Sequence, residues 1–277
     1  MTPFIRHLIT YPIKSLAGIP CDEFVLGDRG AQGDRRWMLV DDGGRFISQR
    51  EWPKLCLFGV ANGDNGYEIR SAFGDIVHVP AALEQGKTVS VGVWSDQVEA
   101  IQAADEINRF FSESLDMPCR LVFMPETSHR LVDAAYAGEG MLTSFSDAYP
   151  LLVIGSASLD ELNARLKKAG ESEIGWDRFR PNIVVDTEES HVEDTWAEFT
   201  IGDVACRGVK LCSRCVMTTI DQQSGLGGKE PLRTLAQYRS MKNKVMFGQN
   251  VIAGKGIVRV GDAINVIRKG YPLNAVF

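Results

Sequence analysis

Two cysteines, Cys212 and Cys215, stand at CxxC spacing in LCSRCVMTTID, with Arg214 between them and β-branched residues immediately after. Thiols at this spacing can bind a metal, cycle between dithiol and disulfide, or pack as two small apolar groups. A structural zinc site needs four ligands, usually two such pairs or one pair with two histidines. This sequence has no second CxxC, and its 4 histidines stand singly. A thioredoxin-like dithiol belongs where a strand gives way to a helix, whereas VMTTID reads as a strand. A plant-type 2Fe–2S site wants C-x4-C-x2-C and a later cysteine; five residues separate Cys206 from Cys212, and no cysteine follows Cys215. Two buried, apolar thiols remain an open reading. In an extended run Ser213 and Cys215 would share one face, and Cys212 and Arg214 the other, so one thiol rather than two would meet a ligand.

The basic residues offer a second kind of chemistry. The 277-residue chain carries a formal net charge of −6, which argues against a broad nucleic-acid or anionic-membrane surface. Any anion site must therefore be local. Its possible members are Lys14 in YPIKS, Arg35 and Arg36 in GDRRW, Arg178 and Arg180 in DRFRPN, and Arg214. Any one of them taken alone reads first as solvated surface, where long basic side chains mostly lie. No GxGxxG or GxxxxGK[ST] occurs, so neither dinucleotide nor P-loop nucleotide binding is indicated.

The elements that must position these residues follow from patterning. With 44% hydrophobic and 24% charged residues the chain is an ordinary folded protein, and six cysteines without dense spacing read as reduced thiols. No run approaches the ~20 apolar residues of a membrane span, and no secretory leader is legible at the start, so a cytoplasmic location is expected. Over residues 1–101, short β-branched or aromatic runs such as HLITYPI, RWMLVDD, DIVHVP and TVSVGVWSDQVEAI alternate with turn residues, which predicts a barrel-like unit. A helix follows over 102–117, with Ile107, Phe110, Phe111 and Leu115 on one face. The second unit, 118–277, opens with CRLVFMP and a polar, flexible loop over 126–143. Next come a buried strand at 151–154 and a helix whose start is marked by a capping box of Ser158 and Glu161, with Leu159, Leu162 and Leu166 as its stripe and Gly170 as its stop. Further strands lie in RPNIVVD, AEFTIGDVACRGVKLC, NVIAGKGIVRVGD and AINVIRK, with one helix near PLRTLAQY.

The motifs YPIKSLAG, GDRRW, FSDAYPLLVIGSASLDELN, RFRPNIVV, CSRCVMTTID and FGQNV…GIVRVGD, in that order, resemble those of MOSC-domain proteins over nearly the whole chain. The likeness is greatest to the molybdenum enzymes that include the mitochondrial amidoxime-reducing component and bacterial reductases of N-hydroxylated bases. It implies an α+β, β-rich fold: an N-terminal β-barrel-like region plus a MOSC β-barrel domain with peripheral helices. It implies a molybdenum pyranopterin cofactor, with Cys215, the second cysteine of CxRC, as the protein's metal ligand and catalytic centre. Lys14, Ser15, Arg35, Asp147, Arg180, Asn182, Ser213 and Arg214 would hold the cofactor. Cations and planar guanidinium forks suit a phosphate, and Asn and Asp suit a pterin edge.

The activity implied is reduction of N-hydroxylated small molecules such as hydroxylamines and amidoximes, with release of water. The electrons would come from a separate ferredoxin-like or haem protein with its reductase, since no ferredoxin segment is legible before Phe277. Where the amidoxime-reducing relatives carry hydroxyl residues after the aspartate of the FSD-like motif, this chain has Ala148 and Tyr149. MOSC domains also occur in molybdenum-cofactor sulfurases, so a cofactor carrier or sulfur-transfer module is the alternative reading. A MOSC-fold protein that has lost its cofactor is a third.

Overall fold

The structure, a computed structural model, describes residues 2–271; Met1 and the last six residues of the expected second unit, 272–277, lie outside it. The fold is α+β and strand-rich, with an N-terminal barrel-like region and a second β-rich unit carrying peripheral helices. A nine-stranded sheet dominates. Its main path runs from Ile19–Cys21 through Phe4–Thr10, Ile183–Asp186, Leu151–Gly155, Lys244–Ala253, Val204–Arg214 and Trp196–Ile201 to Ile264–Lys269. The strands from the very start of the chain thus lie in the same sheet as those from its end. Leu151–Gly155 and Ile183–Asp186 run parallel, with Val153 opposite Ile183, because the helix Ser156–Lys168 crosses between them.

Alternation of apolar residues decides which faces are buried. One core lies on a face of this sheet, where Ile5, Leu8, Val153, Val185, Trp196 and Phe199 meet Phe24 and Val258 from the small sheet that pairs Glu23–Gly27 with Gly256–Arg259. A second core fills the N-terminal region, with Trp37, Leu39, Leu121 and Phe123 packed on the helix Asp105–Leu115. That helix forms where its period places it and buries Ile107, Phe111 and Leu115. A third core holds Leu162 and Leu166 against Ile9, Ile154, Phe179 and Phe247.

Three local expectations are corrected. The helix Ser156–Lys168 begins before Ser158, which lies in its first turn and makes no capping box with Glu161. The buried Glu193 carboxylate caps instead, accepting the Gly155 N–H at 2.9 Å and the Ser158 hydroxyl at 2.7 Å. Burial and the neighbouring Asp194 push this carboxyl up to about 7, and its Oε1 accepts from a backbone N–H and a hydroxyl where the helix start leaves donors free. Glu161 instead pairs with Arg165 and His191. At the far end Gly170 serves as expected, with φ of 78° and the Glu171 N–H returning to Leu166 O at 2.9 Å.

The stretch 126–143 is not a plain loop: it contains Arg130–Leu131, Ala134–Ala137 and Leu142–Thr143, and the buried Arg29 donates to Glu126 O, Ser128 O and Thr143 O along it. Residues 216–219 form a 3-10 turn, not a strand, because Thr218 and Thr219 hydroxyls bond back to Cys215 O and Val216 O.

Gly248 is a position in the large sheet where both conformation and close approach require a glycine. It has φ of 75°, and a Cβ there would stand 2.6 Å from Ile154 Cγ2 and 2.7 Å from Val153 O. Gly248→Ala is expected to lower stability by about 2–4 kcal/mol in urea unfolding. Gly227→Ala, where a Cβ meets nothing within 4 Å, should change it by less than about 0.5 kcal/mol.

Candidate functional site

Turns and strand ends deliver the site residues to one place. Lys14 and Ser15 follow the strand Phe4–Thr10, and the Lys14 N–H bonds Trp37 O at 2.8 Å. Arg35 precedes the strand Trp37–Val40, Arg180 ends the 3-10 turn Trp176–Phe179, and Asn182 stands just before Ile183–Asp186. Ser213 and Arg214 end the strand Val204–Arg214, and Cys215 begins the turn that follows. Ser15, Arg35 and Arg180 hold left-handed backbones, with φ of 72°, 48° and 55°. Non-glycine residues take that conformation seldom, and each instance costs about 1–3 kcal/mol.

All nine residues singled out in the sequence, Lys14, Ser15, Arg35, Asp147, Arg180, Asn182, Ser213, Arg214 and Cys215, line a single cavity of about 450 Å³. Charge is concentrated there far beyond the composition of the chain. Seven cationic side chains line it, Arg50 and Lys210 joining five of the six the sequence offered, against one carboxylate, Asp147, among the described residues; the sixth, Arg36, is not among them and pairs with Glu126 at 2.6 Å.

Asp147 Oδ1 takes Lys14 Nζ at 2.6 Å, and Oδ2 takes Arg50 Nη2 at 3.1 Å. Burial pushes the Asp147 carboxyl up, but Lys14 and Arg50 outweigh that and hold it well below the usual carboxylate range. Lys14 is nearly inaccessible, and burial draws its ammonium down to about 8 in spite of Asp147. The loop bearing Asp147 is fixed from behind, where Arg130 donates to Ser144 O, Ser146 O and Asp147 O and pairs with Asp96 at 2.7 Å.

The arginines are braced in different ways. Arg35 donates to Asp34 at 2.6 Å, Asn182 Oδ1 at 3.2 Å and Arg180 O at 3.1 Å. The guanidinium carbons of Arg35 and Arg180 lie 4.4 and 4.3 Å from the Tyr11 ring centre. Arg214 donates to Phe247 O at 2.8 Å and Phe179 O at 3.2 Å, and those two rings stack at 4.2 Å. Arg180 Nη2 and Arg214 Nη2 are buried yet have no partner among the described residues. Buried donors left unpaired cost about 1–3 kcal/mol, so two of them on the wall of a cationic cavity suit an anionic ligand.

Several lining residues were missed or misplaced by sequence reading. The expected alternation of the cysteines fails: Cys212 and Cys215 both line the cavity. A register irregularity between Leu211 and Ser213 breaks the two-residue period just before the strand ends. Burial raises the Cys212 thiol above its ordinary range.

Arg50, in ISQREW, carries no motif that could have marked it, and Trp94 tops a turn in a hairpin 44 residues further on. Lys210 could have been found, since it precedes Cys212 by two residues on the same strand; its ammonium lies 3.9 Å from the Tyr136 ring centre. Of the two departures noted after Asp147, Ala148 brings no hydroxyl, whereas Tyr149 lines the cavity with a buried Oη that has no partner among the described residues.

Fold and cavity together define a strand-rich protein suited to holding a compact anionic ligand beside a cysteine. The chain belongs to the MOSC family: the MOSC N-terminal beta barrel domain matches residues 2–118 and the MOSC domain residues 142–265. Mitochondrial amidoxime reducing component 2 of Rattus norvegicus is 34% identical over 92% of this chain and 80% of its own length. Mitochondrial amidoxime-reducing component 1 of Mus musculus is 30% identical over 95% of this chain and 82% of its own. The molybdenum cofactor sulfurase of Danio rerio is 31% identical over 88% of this chain but only 31% of its own length.

The depressed Lys14 makes a pH test possible. Inorganic pyrophosphate, titrated calorimetrically into ligand-free protein, should bind progressively more weakly as pH rises from about 7 to 9, because Lys14 loses its proton near 8. Lys14→Met should bind more weakly at pH 7 and lose most of that slope. The same slope in both proteins would show that Lys14 contributes no charge to the site.

Proposed function

We propose that this protein is a molybdenum-cofactor-dependent reductase that converts N-hydroxylated compounds, such as hydroxylamines, amidoximes and N-hydroxylated bases, to amines or amidines. One observation carries the reading: residues from five separated motifs meet in one cavity, which Cys212 and Cys215 also line, and there seven cations, two of them with an unpaired guanidinium nitrogen, face one carboxylate. Relatives matched along most of their length are named for amidoxime reduction.

The residues fit the cofactor. Arg180, Arg214 and Lys14 would take its phosphate through charge-assisted hydrogen bonds, with Ser15 and Ser213 as neutral partners. Asn182, whose Oδ1 takes Arg35 and the Leu152 N–H and whose Nδ2 donates to Ile9 O, would act by aiming the planar Arg35 guanidinium at the pterin. Asp147, with both oxygens already engaged, would act by holding Lys14 and Arg50 in place. Cys215 would give the metal a soft sulfur ligand. Among the described residues no three His, Cys, Asp or Glu side chains cluster to hold a metal ion, so its other ligands would come with the cofactor. When bound, the cofactor supplies two-electron chemistry in which an N–OH group, two electrons and two protons become N–H and water. The protein's share is to fix the cofactor, shape the opening and present the sulfur.

A second reading, transfer of sulfur or of the cofactor itself, is favoured by the likeness to the sulfurase and by Cys212 sharing the cavity with Cys215. The cysteines separate the two. Cys215→Ser should abolish hydroxylamine reduction while leaving thermal unfolding of the cofactor-free chain unchanged, and Cys212→Ser should keep most of the activity. Equal loss from both would favour a two-thiol chemistry instead.

Each turnover consumes two electrons, and the sequence has no dinucleotide fingerprint or complete iron–sulfur ligand set. NADH or NADPH alone should therefore support no turnover, whereas a reduced low-potential dye should. In the cell a ferredoxin-like or haem protein with its reductase would serve, through a transient contact of roughly 1,200 Å² or less that weakens with salt. Robust reduction by the pure protein with NADH alone would overturn this electron path.

A further inference from the structure

We propose that Arg50 is a positioning residue for the Cys215 sulfur, its Nε–H setting the direction and electron density of that sulfur as a ligand; this rests on reading Cys215 as the metal ligand. Arg50 Nε donates to Cys215 Sγ at 3.3 Å, and Nη2 of the same guanidinium donates to Asp147 Oδ2 at 3.1 Å. Its face lies over Trp94, with the guanidinium carbon 4.5 Å from the ring centre. The side chain is thus held by a carboxylate, a sulfur and an aromatic ring. Two of its three nitrogens are engaged by side-chain atoms that line the cavity, whereas those of Arg214 that are engaged donate to the backbone carbonyls of Phe247 and Phe179.

The bracing extends further back. Asp147 is anchored by Lys14 through its side chain and by Arg130 through its backbone carbonyl, so the carboxylate that aims Arg50 is itself fixed. Trp94 has φ of 58° and packs on Phe46 with ring centres 5.0 Å apart, which sets the ring against which the guanidinium lies. Arg50 is in turn held by the turn 48–52, where the Trp52 and Glu51 N–H groups return to Ser48 O at 2.9 and 3.1 Å.

A hydrogen bond from a cation to a metal-bound sulfur withdraws electron density from it, weakening its donation and raising the reduction potential of the metal. The same contact keeps the sulfur facing the cavity when no metal is bound. Arg50 therefore differs in kind from the other cations: they would meet the cofactor's own atoms, whereas it would act through a protein sulfur.

Two measurements test this. In the cofactor-free full chain with 15N-labelled arginine, the Nε–H resonance of Arg50, identified by its loss in Arg50→Lys, should shift in Cys215→Ala and stay in place in Cys212→Ala. No shift in Cys215→Ala would overturn the proposal. In holoenzyme from a host that makes the cofactor, Arg50→Met should lower the molybdenum midpoint potential and change its EPR signal. Arg50→Lys should keep cofactor content near wild type, since it can still pair with Asp147, yet fail to restore the potential. An unchanged potential and signal in the variants that retain molybdenum would overturn the proposal. Wild-type protein without molybdenum from such a host would sink the functional reading instead, and the resonance experiment would still decide the contact between Arg50 and Cys215.

Discussion

Packing seven cations around one cavity in a chain of net charge −6 sets up repulsion that something must offset, and Asp147 is the group placed to do so. Two like charges 4 Å apart repel by about 4 kcal/mol at the effective dielectric of a protein surface. A carboxylate between Lys14 and Arg50 turns part of that repulsion into attraction and holds together segments 133 and 97 residues away from it in sequence. The remaining charges are relieved singly: Asp34 on Arg35, the Tyr11 ring beside Arg35 and Arg180, and backbone carbonyls on Arg214. Part of the demand is unmet, as the bare Arg180 and Arg214 nitrogens show, and an anionic ligand would meet it.

The fold serves this arrangement through the ends of its strands. Strand interiors carry the cores and are uniform, whereas the residues just before or beyond a strand can depart from pleated geometry without breaking a ladder. Ser15, Arg35 and Arg180 do so with left-handed backbones, turning their side chains back toward a common centre. Such conformations persist only where the surroundings over-determine them. The Arg35 N–H to Tyr11 O bond at 2.7 Å and the Arg180 N–H to Asp177 O bond at 3.2 Å are two of the restraints that do this.

The cysteine pair shows how little spacing says about use. Cys212 and Cys215 sit at a spacing common to zinc, iron–sulfur and dithiol sites, yet their surroundings differ. Cys215 is addressed by a guanidinium, whereas Cys212 makes a long contact of 3.9 Å to the neighbouring Ser213 O and has its thiol form favoured by burial. On the proposed reading Cys215 would be the sulfur that meets a metal and Cys212 would not, although both border the same space. The same asymmetry separates the reductase reading from sulfur transfer, in which both thiols would take part.

The sequence by itself determined the strand-rich class, the helix Asp105–Leu115, the stop at Gly170 and nine of the residues that line the cavity, because periodicity, turn chemistry and ordered motifs are local or cumulative properties of a chain. It did not reveal Arg50, Trp94 or the shared outlook of Cys212, nor that Glu193 rather than Ser158 and Glu161 caps the helix Ser156–Lys168. Each of those depends on a partner far along the chain: Arg50 on Asp147 and Cys215, and Ser158 on Glu193. Only the tertiary structure decides such pairings, because a charged group takes the oppositely charged or polar partner that folding brings within about 3 Å, and no local pattern records which one that will be.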